Sequence, residues 1–298
     1  MRNLIPLLSI TTILLLTGCS RLNVNTLGER LQPSNDRDWI SELQTPAFAE
    51  VEGDQITLRN IRSNRYLTND DYVVSHYDRT INIQQIQSVD YVVVPFNDTP
   101  QIAHTLLSFA LDDDTYLGVS VEVRREKGEG YSAWRGLTRQ LELMYVLADE
   151  RDLIGVRTSQ RDSDVYIFPT IATPQQAQAL FQSIAGRMNK LAANPEFYHT
   201  ITNNCTTNLQ SHVNALSPNR IPYGWKVLLP GHSAEYAYEL GLLDQRIPFE
   251  DLQALALVRE ESDESLDSPR YSQLIRAKHD ALERLVQRQL KNQGSQRR

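Results

Sequence analysis

Apolar and polar residues change their rhythm part-way along this chain. Up to about residue 125 the rhythm is that of strands. Residues 55–61 alternate apolar and polar side chains, the pattern of a half-buried strand. Residues 71–77 predict a second strand, and 89–96 form a denser apolar run of the kind a central strand carries. Residues 102–110 and 116–124 flank the acidic turn Asp112-Asp113-Asp114 and predict a hairpin. Helical spacing then takes over. Residues 132–143 are weakly helical, and 165–168 predict a short strand. Thr173 and Pro174 make a helix start, followed by Ala177, Leu180, Phe181, Ile184, Met188 and Leu191 along one face. Residues 205–216 predict another helix and 231–258 two or three short ones. An acidic linker follows over 262–269, then an amphipathic helix over 270–291 with Tyr271, Leu274, Ile275, Leu282 and Leu285. That last helix is expected to pack on the domain edge. Strands first and helices later predict an α+β fold.

The N-terminus follows a different logic. Arg2 precedes an almost wholly apolar run over 4–16, shorter than the roughly 20 residues a membrane-spanning helix needs. The run reads as the apolar part of a secretion signal. Its exit, Leu16-Thr17-Gly18-Cys19, closely resembles the bacterial lipobox, which is cleaved before a cysteine that becomes lipidated. Two or more acyl chains on Cys19 make a stable anchor. Ser20, in place of Asp, favours the outer membrane over the inner one by resemblance to enterobacterial sorting. The expected organisation is a signal over 1–18, a polar tether with a short Trp39 element over 19–50, a folded domain over 51–261, and a linker with a C-terminal amphipathic helix over 262–298.

Charge and cysteine content narrow the function. The formal net charge is −7, and no Lys/Arg patch appears before the extreme C-terminus, so a nucleic-acid role is not expected. There are 2 Cys in the chain. With Cys19 consumed by lipidation, Cys205 has no disulfide partner and no Cys-based zinc site is possible. No His-x-x-x-His spacing and no Gly-rich phosphate loop occurs, so neither a metal nor another cofactor is expected.

The hairpin places candidate chemistry on one face. A turn centred on Asp113 sets Leu106 opposite Ser120, Ser108 opposite Gly118, and His104 opposite Glu122. Ala103, Thr105, Leu107 and Phe109 share the other face with Val119, Val121 and Val123, and that face is core. Facing cross-strand residues are close enough for an imidazole–carboxylate hydrogen bond, which fixes the tautomer and orients the ring. Arg124, at the strand end with Arg125 and Lys127, is a candidate contact for acidic head groups. Further on, Thr202, Asn203 and Asn204 are all helix-capping types. Cys205 is therefore expected in the first turn of a helix, where unpaired N–H groups and the dipole favour a thiolate. A nucleophilic Cys needs that placement and a base such as His104. His199 is a rival base and His76 a second cleft candidate. Asn204 is a candidate oxyanion donor, although capping also explains it. The Cys205 backbone N–H is the better-placed donor.

The hairpin residues Ile102-Ala103-His104-Thr105 and Ser120-Val121-Glu122-Val123-Arg124-Arg125-Glu126-Lys127-Gly128-Glu129 closely resemble the Lnb N-terminal periplasmic domain family. So do Arg139-Gln140-Leu141-Glu142-Leu143, Asp149-Glu150-Arg151-Asp152-Leu153-Ile154 and Asn203-Asn204-Cys205-Thr206-Thr207-Asn208. The resemblance covers about 55–260. The family is named for bacterial lipoprotein N-acyltransferases and looks like a branch of the circularly permuted papain-like superfamily, with NlpC-type and lecithin-retinol-acyltransferase-like enzymes. It implies an antiparallel sheet packed against helices, with Cys205 as nucleophile, His104 as base and Glu122 as its orienter. Ser120, Asn204 and Arg124 are expected to contact substrate. The named acyltransferases carry a multi-spanning membrane region after this domain, and no second apolar run of that length follows here. The resemblance thus leaves an acyltransferase and a peptidase, amidase or lipid esterase open. The expected partners are the membrane, through the lipid, and a lipid, lipoprotein or envelope-peptide substrate. A non-catalytic lipoprotein that binds such ligands in the same cleft is the rival.

Overall fold

The computed structural model describes residues 32–130, 133–217 and 220–279, together with Arg284 and Val286. The signal and Cys19 lie outside the described residues, as does most of the last predicted helix beyond His279.

From Ser34 onward the chain forms one compact unit. Its centre is a mixed sheet. Strands β1 (Phe48–Glu52), β2 (Gln55–Arg62), β5 (His76–Asn82), β6 (Ile86–Phe96), β7 (Thr99–Leu111), β8 (Tyr116–Arg124), β9 (Glu142–Asp149) and β10 (Tyr166–Pro169) belong to it. They lie in the order β1-β2-β9-β8-β7-β6-β10, with β5 also pairing β2. Every pairing is antiparallel except one parallel bridge, Arg62 with Ala148. Two short strands, β3 (Arg65–Tyr66) and β4 (Tyr72–Val73), form a separate ribbon. With helices on the sheet the class is α+β, as the sequence predicts.

Alternation along β7 and β8 divides the packing between two faces. Leu107, Phe109, Val119 and Val121 point into the main core, closed by the helices Pro174–Ala193 and Cys205–Leu216. Burying side chains of this size stabilises the fold by roughly 1.5–3 kcal/mol each. Leu106, Val92 and Val94 point the other way and pack on Ile154, Tyr271 and Ile275. The sheet is thus covered on both faces, and this decides where the sequence pattern misleads. Strand β9 is buried at seven of its eight positions, so it shows no alternation, and its start at Glu142 falls in the stretch 132–143 that reads as weak helix. The helix there is only Ala133–Leu137. The π-helix Arg151–Gln160 follows β9 and covers part of the second face.

Three segments depart from expectation. Residues 34–50, expected as tether, carry Trp39, Leu43, Ala47 and Ala49 buried at 3–4% exposure, and β1 begins at Phe48. Residues 71–77 are divided between β4 and β5 and do not form one strand. The first half of the acidic stretch expected as linker, 262–265, belongs to the helix Arg259–Ser265, whose Ser262 is fully buried and hydrogen-bonded to Thr158.

Candidate active site

Cys205 opens the helix Cys205–Leu216 because its upstream neighbours cap it. Asn204 Oδ1 accepts from the Thr207 N–H at 2.9 Å, and Thr207 Oγ1 accepts from the Asn204 N–H at 2.9 Å. Asn204 Nδ2 donates to Thr200 O at 2.7 Å and Asn203 Nδ2 to Phe197 O at 2.9 Å. The turn before the helix is therefore stapled at both asparagines, and Cys205 sits at its mouth, 8% exposed.

Strand β7 brings the imidazole. The β7–β8 ladder runs in the expected register, Leu106 opposite Ser120 and Ser108 opposite Gly118, but ends at Leu106. His104 and Glu122 thus lie just past the last rung, where they are not ladder partners. His104 Nε2 is 2.7 Å from Ser120 Oγ and 3.3 Å from Glu122 Oε1. Ser120 donates its only hydroxyl proton to Glu122 Oε1 at 2.6 Å. Its oxygen must then accept from Nε2–H, which leaves Nδ1 as the nitrogen able to take a proton from a thiol. On the far side, Arg157 of the π-helix donates to the same Glu122 oxygen at 2.9 Å. A chain of contacts therefore runs Arg157–Glu122–Ser120–His104 and ends at Cys205.

The electrostatics follow this order. Burial disfavours the imidazolium, but the Glu122 charge and the hydrogen bonds to Cys205 and Glu122 outweigh it and raise His104 to about 9. Burial pushes the Cys205 thiol up. The hydrogen bond and charge of His104, then hydrogen bonds from Thr105, pull it down past that to about 7. Burial alone would raise Glu122, yet the imidazolium, Arg157 and Ser120 hold it well below the usual carboxylate range. The arrangement thus favours a thiolate–imidazolium pair near neutral pH, the state in which a cysteine attacks a carbonyl carbon.

The other expected site residues have other partners. Ser120 is fully buried and belongs to the contact chain. Asn204 spends its side chain on the cap. Arg124 is 2% exposed, donates to Leu43 O, Gln44 O and Asn35 Oδ1, and stacks on Trp39, so it holds the N-terminal segment to the sheet. His199 Nδ1 accepts from the N–H groups of Ile201 and Thr202 in its own turn. His76 lies on β5 opposite Arg62. Arg157 is a site residue that the sequence pattern does not point to. Its signal is a lone cation in the apolar run Leu153-Ile154-Gly155-Val156-Arg157, since a buried charge needs a partner.

The model of the Lnb N-terminal periplasmic domain family matches residues 73–231, just over half of the chain. The chain belongs to this family. Cys205, His104, Ser120, Glu122 and Arg157 all fall inside the matched span, whereas β1, β2 and the elements after residue 231 lie outside it. The family is one of periplasmic domains, which makes this a periplasmic protein. Among the described residues no helix is long and apolar enough to cross a membrane. No curated protein and no solved structure matches the chain.

Proposed function

We propose that this Lnb N-terminal family protein is a lipid-tethered thiol enzyme acting on acyl bonds through a papain-like site. The observation that carries the reading is Cys205 at the first turn of its helix, paired with the His104 imidazole, whose other nitrogen is fixed by Ser120 and Glu122. The Cys205 thiolate attacks the substrate carbonyl carbon. A carbon–sulfur bond forms, and the oxyanion accepts from the Cys205 backbone N–H. As the carbon–oxygen or carbon–nitrogen bond of the leaving group breaks, the His104 imidazolium gives up its Nδ1 proton to that group. An acyl-thioester remains. Water or an amine, deprotonated by the now neutral His104, attacks it and frees the thiol. Water as acceptor makes the protein a hydrolase, and an amine makes it an acyltransferase.

The Leu16-Thr17-Gly18-Cys19 exit supports lipidation of Cys19, and Ser20 after it supports an outer-membrane location facing the periplasm. Cys19→Ser is then expected to stop signal processing and release the protein from the membrane fraction. For the chemistry, the deciding measurement is mass spectrometry of the protein after incubation with envelope lipids and peptides. An acyl adduct on Cys205 that Cys205→Ser lacks supports the enzyme. A thiol inert to both these substrates and iodoacetamide leaves a ligand-binding lipoprotein in its place.

A further inference from the structure

Beneath the turn that carries Cys205, four polar side chains from three elements meet in line. Ser183 lies on the helix Pro174–Ala193, Tyr145 on β9, and Asn208 and His212 on the Cys205 helix. Tyr145, Asn208 and His212 are buried and Ser183 is half-buried. Ser183 Oγ is 2.8 Å from His212 Nδ1, and His212 Nε2 is 2.9 Å from the Tyr145 hydroxyl. That hydroxyl donates to Asn208 Oδ1 at 3.2 Å. Asn208 Nδ2 donates to Asn203 Oδ1 and to Asn204 O, both at 2.9 Å. None of the four takes part in the mechanism above. We propose that Asn208 is a positioning residue: it aims the Cys205 backbone N–H at the oxyanion, and Tyr145 and His212 keep its amide turned that way. The proposal deepens the thiol reading above and rests on it for the attack by Sγ.

Peptide planarity connects the amide to the oxyanion. The Asn204 C=O and the Cys205 N–H belong to one trans peptide, so they point in opposite directions within one plane. Fixing the oxygen therefore fixes the N–H. Asn204 O accepts from the Asn208 N–H at 3.1 Å, the ordinary bond of a helix, and from the Thr207 hydroxyl at 3.3 Å. The Asn208 side chain adds the shortest of the three. The plane then resists rotation, and the N–H, which has no partner within the helix, stays directed out of its N-terminus. Nor can the amide turn over. Both of its N–H groups are spent on acceptors, so its oxygen must face Tyr145. Tyr145 gives its one proton to that oxygen and accepts from His212 Nε2. Burial, and then the Arg187 charge, lower His212 to about 4, so at neutral pH the ring is neutral and carries its single proton on Nε2. His212 Nδ1 accepts the Ser183 hydroxyl. Each member of the line thus dictates the orientation of the next. Core packing alone asks for none of this: the adjacent Leu209 fills the same core with an apolar side chain, and buried polar groups are costly unless paired.

Two reagents separate attack on a carbonyl from attack on a saturated carbon. With the activated ester p-nitrophenyl acetate, the carbon–sulfur bond forms through a tetrahedral oxyanion, and p-nitrophenolate leaves with its electron pair and needs no proton. Iodoacetamide alkylates the same sulfur by displacing iodide, and no oxyanion develops. Both rates are measured on the full chain, with the acetyl adduct on Cys205 read by mass spectrometry. Asn208→Leu keeps the size of the side chain and removes the amide. It should slow acylation at least about tenfold, with alkylation kept within about twofold and its pH profile unmoved. Tyr145→Phe, from a different element, leaves the amide in place but lets it turn, and should slow acylation by about threefold with alkylation unchanged. It provides the same test where Asn208→Leu does not fold. Equal acylation in parent and variants overturns the proposal and leaves the thiol reading standing. A parallel fall in both rates, or a shifted alkylation profile, also overturns it, because Asn208 then acts on the thiol or the fold and not on the oxyanion. A parent thiol that takes iodoacetamide but no acetyl group overturns the acyl reading and the proposal with it, as does a thiol inert to both reagents.

Discussion

At Cys205 and His104 the balance of burial against charge sets a pH window. The thiol ionises near 7 and the imidazolium persists to about 9, so the reactive pair is populated between those values. The iodoacetamide rate should therefore rise through pH 7, well below the ordinary thiol value of about 8.5. His104→Ala removes both the hydrogen bond and the positive charge that draw the thiol down, so alkylation at pH 7 should fall about tenfold and the profile should move upward. An unchanged profile would sink the pairing. The same shifts give the sign for stability. His104 is raised above its free value, so its contribution is complete at low pH and is lost as pH rises through about 9. Glu122 is depressed, so its contribution is present above the usual carboxylate range and is lost on acidification. Ser120 is a positioning residue between the two, fully buried. Ser120→Ala should move the thiol profile upward and reduce adduct formation, with circular dichroism unchanged. A normal pH profile would make Ser120 a packing residue only. Cys205, His104 and Glu122 were legible in the sequence because capping residues and strand alternation are local signals. Ser120 was legible as a site residue but not in its role. The hairpin register puts it on the right face, yet it cannot show that the ladder ends one rung short of His104. Arg157 stands out only as a lone cation in an apolar run; its partner was not legible, because it reaches Glu122 across 35 positions from a π-helix whose periodicity differs from that of an α-helix.

Elements position the site through close backbone approaches as much as through side chains. Pro230–His232 is a single 3-10 turn lying against the start of β7, at Pro100 and Gln101. A β-carbon on Gly231 would come within 2.0 Å of Pro100 O and 2.8 Å of the Gln101 carbonyl carbon. Both contacts are backbone and cannot rotate away, so only glycine fits. Gly231→Ala is therefore expected to push this turn off β7 and to break the Tyr91–Ser233 hydrogen bond, since Ser233 follows directly. The expected loss is about 1–3 kcal/mol in urea unfolding, with Cys205 becoming more exposed to large alkylating reagents. A variant as stable as the parent, with unaltered accessibility, would show that the turn is free to shift. Nothing local marks Gly231 for this role. The two predicted helices that open at Pro174 and Cys205, by contrast, start where Thr173-Pro174 and Asn204 place them. Strong caps made these boundaries readable. Strand β9 was unreadable for the opposite reason: burial on both faces erased the alternation that identifies a strand.

At the scale of the whole molecule, the C-terminal segment covers part of the second face of the sheet, and Arg276 ties it down through a buried cluster of charges. Arg276 Nε donates to Asp90 at 2.8 Å, and both terminal nitrogens reach Glu150, at 2.8 and 2.5 Å. Ser108 donates to Glu150 from below, and the guanidinium stacks 3.8 Å from the Tyr116 ring centroid. Asp90, Ser108, Glu150 and Arg276 are all buried. The sequence pattern places Tyr271 and Ile275 on a packing face, and both are buried, but nothing in that pattern marks Arg276 beside them. Its partners lie 126 and 186 positions earlier, beyond the reach of any local pattern. Burial disfavours the guanidinium charge, yet the two carboxylates outweigh it and raise the group above its ordinary value, so it stays charged throughout the accessible pH range. Arg276→Met keeps an unbranched apolar stem and removes the charge, which leaves the buried carboxylates of Asp90 and Glu150 without their cation. A loss of about 3–5 kcal/mol in urea unfolding is expected, because breaking a buried pair costs far more than replacing the whole of it. Arg276→Met combined with Glu150→Gln should recover part of that loss, since the pair is coupled and their effects are not additive. The same single variant should raise the susceptibility of the segment after Arg259 to proteolysis while β7 and β8 stay protected. A loss under about 1 kcal/mol, with no protease-sensitive C-terminus, would show that the segment is held by Tyr271 and Ile275 alone and that the charge cluster is incidental to the closure of the sheet.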